Sequence, residues 1–320
     1  MNILILAERK KKVQNLINAL SKSRNTTYLR LSKLVLVSKK NRTRIKAFGT
    51  ELDEYDAIYI HARTSLSQFI EPLLEEIEQI GSYTNIKKGS YYIGENEPYL
   101  SVVLTQAGIP TPNSISTGSV KNVESIAKKI KYPLIIKTFY SKKLQQVLLV
   151  NTPRELKLFI KSIKTEIDGF LIREFIKGDI ISSAVIGEKI FSVKRKYVEA
   201  NSKEIEEGKK HKLNQKEKEI ILKTLKVVGY DVARIDLVKG KVIRVEPIIP
   251  FEEFSEVYKN QIELQLAKHL TQKATEHEAN KIIPYDFLGI RKFLSKTFFA
   301  PMIKHLNKMW RDKKWRKDSQ

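Results

Sequence analysis

The first 90 residues alternate between short apolar runs and helical patterns, which is typical of a small parallel α/β unit. NILILA at 2–7 predicts a buried strand, and residues 11–20 place their apolar positions at helical spacing. Residues 27–37 and YDAIYIHA at 55–62 predict two further strands. The pattern predicts strands alternating with helices from the start of the chain.

Helical patterns with clear stop signals divide the next stretch. FIEPLLEEIEQI at 69–80 predicts a helix that ends at Gly81, because glycine readily adopts the left-handed conformation found after helices. Residues 100–107 predict another helix, stopped by the glycine and two prolines of GIPTP at 108–112. Residues 119–130 predict a third, and the strand-like YPLIIKT follows.

The order of these elements predicts four segments. They are an α/β domain at 1–90, a first lobe at 91–170, a second lobe at 171–280 closed by a helix from about 258, and an extension at 281–320. In the extension, apolar residues recur every three or four positions with basic residues between them, so a basic amphipathic helix is predicted, broken at Pro301.

The formal net charge of +23 is concentrated at the two ends. Residues 1–48 hold 13 lysines and arginines against Glu8 alone, and residues 291–320 hold 10 against two aspartates. Such ends predict surfaces for a polyanion, whether RNA, an acidic protein or an anionic membrane surface. The alternative is a lysine-rich composition without a dedicated partner, since lysines also occur throughout the middle.

Composition and missing motifs exclude several function classes. With 42% hydrophobic and 30% charged residues the profile is that of a soluble globular protein. No apolar run approaches the ~20 residues of a membrane-spanning helix, and the basic residues follow the first apolar run, the reverse of a secretory signal. A cytoplasmic location is therefore expected. Without cysteine there is no disulfide or thiolate ligand, and the zinc-protease, dinucleotide, P-loop and serine-hydrolase motifs are missing.

Four motifs carry a resemblance to a known family. They are YPLIIKT at 132–138, REFIKGD at 173–179, ARIDL at 233–237 and VIRVEP at 242–247. Together they resemble the ATP-grasp superfamily, in particular the RimK and glutathione-synthetase type of carboxylate–amine ligase. The resemblance implies a fold of the α/β and α+β class: an ATP-grasp fold preceded by a parallel α/β domain and followed here by the basic helical extension.

The resemblance also implies roles for residues that would bind ATP. Lys137 stands where the family has a strand lysine on the phosphates. Glu174, Phe175 and Ile176 match the hinge between the lobes that lines the adenine, and Asp179 would lie near the ribose or the substrate entrance.

Metal and acyl-phosphate roles follow in the same way. Asp236 and Glu246 resemble magnesium ligands, since magnesium prefers carboxylate oxygens. The family carries glutamate and asparagine two residues apart on the second strand, whereas this chain offers either Arg244 with Glu246 or Glu246 with Ile248. Arg244 would replace a ligand with a fixed charge that pairs with Glu246 or contacts phosphate. Either Arg195 or Lys196 matches a basic residue of the family, and Arg195 would stabilise the acyl phosphate.

Two departures bear on catalysis. The family's glycine-rich lid, whose backbone amides surround phosphates, is replaced by TFYSKKLQQ, where Ser141, Lys142 and Lys143 would supply side-chain contacts. Asn96 and Glu97 stand where the family has aspartate and lysine, so an acid replaces a second phosphate lysine.

Two functions remain open from the sequence. The first is an ATP-dependent ligase with ATP and Mg²⁺ as cofactors, which joins an amino acid such as glutamate to an amine on a small molecule or peptide through an acyl phosphate. The second is a degenerate, non-catalytic ATP-grasp protein whose basic ends bind RNA, an acidic protein or an anionic membrane surface.

Overall fold

The computed structural model describes residues 1–22, 25–39, 42–47, 49–61, 67–140, 143–163, 167–196 and 208–282. The strands are β1 (Asn2–Ala7), β2 (Asn25–Arg30), β3 (Val35–Lys39), β4 (Arg42–Ala47), β5 (Thr50–Glu51), β6 (Ala57–His61), β7 (Tyr83–Thr84), β8 (Ser114–Thr117), β9 (Leu134–Tyr140), β10 (Lys143–Val150), β11 (Gly169–Glu174), β12 (Ile180–Ile186), β13 (Lys189–Arg195), β14 (Lys209–Lys210), β15 (Val232–Val238) and β16 (Lys241–Glu246).

The helices are α1 (Gln14–Ser21), α2 (Ser67–Ile80), α3 (Lys88–Glu95), α4 (Glu97–Gln106), α5 (Val120–Ala127), α6 (Pro153–Ser162), α7 (Gln215–Val228), α8 (Ser255–Tyr258) and α9 (Gln261–Ile282). Among the described residues, no helix has the length and apolar content needed to cross a bilayer. The predicted C-terminal amphipathic helix lies outside the described residues.

A parallel sheet in the order β2-β1-β6-β7 forms the N-terminal unit. β1 runs as an almost wholly apolar segment because both faces of a parallel sheet are covered, and Ile3 through Ala7 are fully buried. The predicted parallel α/β unit is confirmed.

The single strand predicted at 27–37 is wrong. The chain turns after β2 and enters a separate antiparallel sheet in the order β3-β4-β5. Leu31 and Leu34 are both buried, at the i, i+3 spacing of the helical turn that separates the two strands. A strand would have placed these two leucines on opposite faces.

Two antiparallel sheets follow. The first-lobe sheet has the order β10-β9-β11-β8, and the second-lobe sheet has the order β14-β13-β12-β15-β16. Leu134 and Ile136 of β9 pack with α5 and α6 on one face of the first-lobe sheet. Ala233, Ile235 and Leu237 of β15 join a cluster that includes α7 residues. In each case the alternate residues of the strand point to the opposite face.

A shared hydrophobic core ties the N-terminal unit to the second lobe. One buried cluster runs from Leu4 and Ile60 to Val185 and Ile235. A second joins α1 to α9, as in Leu16 and Leu266. The segment boundaries drawn from the sequence stay predictions, but these units do not have separate cores.

Candidate functional site

Lys137 lies on the open face of the first-lobe sheet. β9 alternates between buried and half-buried residues, and Lys137 falls on the half-buried face while Ile136 and Thr138 point into the core. Its ammonium group contacts Glu97 Oε1 at the start of α4, and the side chain is 12% exposed. The acid that stands in place of a family lysine thus lies beside the predicted phosphate lysine.

Arg173 joins this face from β11. In the antiparallel pair β9–β11, Lys137 faces Leu171 and Ile135 faces Arg173, so Lys137 and Arg173 are diagonal neighbours on the same face. Sequence reasoning missed Arg173, although its alternation with the buried Ile172 was a usable signal.

A β-bulge in the second-lobe sheet lies next to Arg244, and Arg173 contacts the bulged strand there. Asp236 pairs with Arg244 and Leu237 with Val242, so Ile243 is the extra residue on β16. Arg173 Nη1 donates a hydrogen bond of 3.2 Å to the carbonyl of Ile243. The faces of the two sheets that carry Lys137, Arg173 and Arg244 therefore meet.

Burial and like charges act together on these cations. Burial lowers the pKa of Lys137, and Arg173 and Arg244 lower it further, against the opposing effect of Glu97. Burial likewise lowers the pKa of Arg173, with a further contribution from Arg244. Glu97 raises the pKa of both Lys137 and Arg173, but it only partly offsets the lowering by burial and by Arg244.

The two predicted metal ligands share a face with two arginines. Arg234 faces Glu246 and Asp236 faces Arg244 across β15 and β16. Asp236 is 2% exposed, and its Oδ1 accepts a hydrogen bond of 2.9 Å from Arg234 Nε. Arg244 Nε lies 3.7 Å from Asp236 Oδ2 and 3.8 Å from Glu246 Oε1. The sequence left two pairs open at the metal positions of this strand, Arg244 with Glu246 or Glu246 with Ile248. The pair that lies on this face, opposite Asp236 and Arg234, is Arg244 with Glu246.

Arg234 is held charged by its neighbours. Burial opposes its charged form, but Asp236, Glu253 and Glu246 outweigh burial and raise the pKa of the guanidinium. Arg234 Nη1 also donates a hydrogen bond of 2.7 Å to Glu253 Oε1. Asp236 and Arg234 thus form a buried ion pair within a larger network.

Arg195 ends β13 at the edge of this network. Its Nη1 donates a hydrogen bond of 3.2 Å to Ser182 Oγ and lies 3.6 Å from Glu253 Oε2, and its Nη2 donates to the Glu253 carbonyl. Burial lowers its pKa, with a further contribution from Arg234. The acyl-phosphate role of Arg195 stays a prediction.

The predicted hinge connects the two lobes. Glu174 Oε2 lies 3.2 Å from Lys241 Nζ and accepts a hydrogen bond of 3.2 Å from the Asn113 amide. The Phe175 amide donates to the Pro133 carbonyl at 3.1 Å, and Phe175 and Ile176 are half-buried. The adenine-lining roles of these residues stay predictions.

Two other predicted residues lie away from these contacts. Asp179 forms an ion pair of 3.0 Å with Lys194, and its ribose role also stays a prediction. Lys142 lies outside the described residues, together with Ser141 of the segment that replaces the family's lid.

His61 of the N-terminal unit packs against Phe251, which follows the second-lobe sheet in the chain. It ends β6, and its ring stacks on Phe251 with centroids 5.3 Å apart and an interplanar angle of 11°. Burial is the main cause that lowers its pKa from 6.5 to about 4; Glu252 opposes the shift and Lys12 adds to it. His61 was not singled out from the sequence.

The chain matches the model of a known protein family. The RimK-like ATP-grasp domain matches residues 98–270, more than half of the 320 residues. The chain belongs to the RimK-like ATP-grasp family.

Curated relatives of this RimK-like chain include two bacterial proteins named probable alpha-L-glutamate ligase. The one from Haemophilus influenzae is 26% identical over 199 residues, which are 59% of this chain and 66% of the relative. The one from Legionella pneumophila is 26% identical over 202 residues, 60% of this chain and 67% of the relative. The match thus spans about two thirds of either relative's length.

Solved ATP-grasp ligases share the fold. A ligase associated with RiPP peptides from Chryseobacterium gregarium, in complex with ADP and a leader and core peptide, superposes with a TM-score of 0.64 at 12% identity, covering 85% of this chain and 97% of the other. The D-alanine–D-alanine ligase of Bacillus anthracis, complexed with ATP, gives 0.58 at 14% identity, covering 86% and 98%. At these identities the likeness shows the fold alone.

The residues of this RimK-like site do not fit a magnesium ion. Within the described ranges no group of three acidic or histidine side chains is placed to hold a metal. Asp236 already faces two guanidinium groups, and Glu246 faces one at 3.8 Å. A divalent cation there would be repelled by Arg234 and Arg244, so the magnesium roles of Asp236 and Glu246 stay predictions that the arginines oppose.

Proposed function

We propose that the chain binds ATP in the cleft between the first-lobe and second-lobe sheets and uses it to join a carboxylate to an amine. The single observation that carries the proposal is the group of cationic side chains, Lys137, Arg173 and Arg244, where the two ATP-grasp sheets meet. Phosphoryl transfer depends mainly on positioning and charge neutralisation, and these groups supply both.

The proposed reaction has two steps. A carboxylate oxygen of the donor attacks the γ-phosphorus, the bond to the bridging oxygen breaks, and ADP leaves with the electron pair. The amine nitrogen then attacks the acyl carbon, the carbon–oxygen bond of the acyl phosphate breaks, and inorganic phosphate leaves. The nitrogen loses a proton, to phosphate or to solvent, as the amide forms. Lys137 would hold the triphosphate, and Arg195 would stabilise the charge that develops on the acyl phosphate.

The donor is proposed to be an amino acid such as glutamate, acting on an amine of a small molecule or a peptide. This choice is supported by the two relatives named probable alpha-L-glutamate ligase. Glu174, Phe175 and Ile176 would line the adenine, with Asp179 near the ribose. The RNA partner inferred from the basic ends gains no support from these relatives, and the C-terminal end lies outside the described residues.

A coupled assay for ADP release, run over a panel of amino acids, tests the proposal. We expect ADP release that depends on a donor amino acid, and a loss of about 100-fold or more in Lys137→Met, since one lost electrostatic contact commonly costs that much in rate. Lys157→Met is the matched control, because Lys157 is exposed on α6, which covers the opposite face of the same sheet. ADP release that no amino acid accelerates would contradict the ligase.

A second candidate function is nucleotide binding without turnover. The observation that favours it is the ion pair of Asp236 with Arg234. In this ion pair a predicted metal ligand makes a structural contact instead. ATP binding with no ADP release under any donor would select this candidate over the ligase.

A further inference from the structure

Arg244 is the most exposed of the three cations, Lys137, Arg173 and Arg244, at the junction of the two sheets. Its side chain is 50% exposed, and its ion pairs with Asp236 and Glu246 measure 3.7 and 3.8 Å, longer than hydrogen bonds. The Asp236 carboxylate is already bonded to Arg234 at 2.9 Å. The donor groups of Arg244 are therefore available to a ligand in the cleft.

Arg173 and Lys137 lie next to Arg244. Arg173 Nη1 donates a hydrogen bond to the carbonyl of Ile243, the residue directly before Arg244. Lys137 is the diagonal neighbour of Arg173 on the first-lobe sheet. These side chains bring three positive charges from two sheets to one place.

Glu97 is the carboxylate that contacts Lys137, as Asp236 and Glu246 are the carboxylates beside Arg244. Glu97 Oε1 contacts Lys137, and its Oε2 is buried without a hydrogen-bond partner among the described residues. Because Asp236 is paired with Arg234, Glu97 and Glu246 are the carboxylates that remain opposite Lys137, Arg173 and Arg244. One positive charge is left in excess among these groups, which favours an anion.

We propose that Lys137, Arg173 and Arg244 bind the polyphosphate of ATP directly, with guanidinium groups neutralising the phosphate charge where a metal ion does not fit. The proposal rests on the proposed function and adds the means of phosphate recognition. Guanidinium groups suit this role, because their rigid fork matches two phosphate oxygens and their charge persists at all physiological pH values.

Binding without metal follows from this arrangement. Arg244 is covalently fixed to β16, so its charge stays in the cleft when divalent cations are removed. The Glu97 carboxylate opposes the anion, and its neutralisation strengthens binding. The two residues therefore affect affinity with opposite signs.

Isothermal titration calorimetry tests the proposal with tripolyphosphate and with ATP, each in EDTA and in excess magnesium. Wild type is expected to bind both probes in EDTA. Arg244→Gln is expected to bind them about tenfold or more weakly, as for a lost charged hydrogen bond. Arg244→Lys is expected to fall between the two. Glu97→Gln is expected to bind more tightly than wild type.

Lys157→Gln is the matched control, because it removes the same charge from α6 on the far face of the first-lobe sheet. Its affinity is expected to equal that of wild type, which excludes an effect of net charge alone. Circular dichroism of each variant confirms that it is folded.

The outcomes distinguish this proposal from the ligase. ATP binding that requires magnesium, or that is unchanged in Arg244→Gln, overturns direct polyphosphate recognition and leaves the ligase standing. Tripolyphosphate binding in EDTA that is weakened by Arg244→Gln, without ATP binding, contradicts both the ligase and the recognition of ATP by these side chains. Failure of both probes under both conditions overturns both proposals.

Discussion

Replacing Asp236 by asparagine distinguishes a structural ion pair from a metal site. Asp236 is 2% exposed and bonds to Arg234, which is itself 6% exposed. Removal of one partner of a buried pair typically costs about 3–5 kcal/mol, because the other charge stays buried. Arg234 keeps its 2.7 Å bond to Glu253, so we expect the lower end, about 3 kcal/mol.

If Asp236 belonged to a metal site, Asp236→Asn would not lower the free energy of unfolding of the metal-free protein. Carboxylates gathered to hold a cation repel one another when no cation is bound, and neutralising one of them relieves that repulsion. Asp236→Asn would then leave the metal-free protein as stable as wild type or more stable. Magnesium would stabilise wild type but not the variant, because a ligand that binds only the folded state raises its stability.

Equilibrium urea unfolding followed by circular dichroism, with EDTA or with magnesium, measures the effect. Glu246→Gln is the control, since Glu246 is 47% exposed and lies 3.8 Å from Arg244; exposed pairs of this kind contribute about 0–1 kcal/mol. A stable Asp236→Asn variant, together with magnesium stabilisation of wild type alone, would refute the ion-pair account.

Three further predictions concern stability. The pKa of His61 falls from 6.5 to about 4 on folding, so the free energy of unfolding is highest above pH 6.5 and decreases by about 3 kcal/mol as the pH falls towards 4. In urea unfolding, His61→Phe should show a weaker dependence of this free energy on pH. The same dependence in both proteins would contradict the prediction. Gly94→Ala should lose about 1–3 kcal/mol, since its methyl would overlap the Tyr230 hydroxyl, whereas Gly89→Ala on the same helix meets nothing within 4 Å and should lose nothing. Asn214→Ala should lose about 1 kcal/mol of unfolding free energy, because it removes the capping box of α7, and Asn214→Ser should recover most of it.

Local pattern was enough to predict elements whose apolar spacing is strong. NILILA became β1, and FIEPLLEEIEQI became most of α2. Prediction failed between 27 and 37, where Leu31 and Leu34 follow helical rather than alternating spacing. A short apolar run is compatible with either structure, and only the tertiary packing of Leu31 and Leu34 decides between them.

The candidate site was predicted only where a residue belongs to a family motif. Lys137 and Asp236 were predicted in this way, and their roles stay predictions. Arg173 lies within a motif as well, but its role depends on a contact with Ile243, 70 residues away in the chain. The pairing of Glu97 with Lys137 spans 40 residues. Contacts of this range follow from the packing of two sheets, which no local pattern encodes.

Oxygen transfer from the donor carboxylate to phosphate tests the central claim most directly. Glutamate labelled with ¹⁸O in its carboxylates is incubated with ATP and the protein, and the released phosphate is analysed by mass spectrometry. An acyl phosphate predicts one labelled oxygen in each phosphate, because the carbon–oxygen bond breaks when the amine or water attacks the acyl carbon. Phosphate released without label would show that water attacks ATP itself, and would contradict carboxylate activation in this cleft.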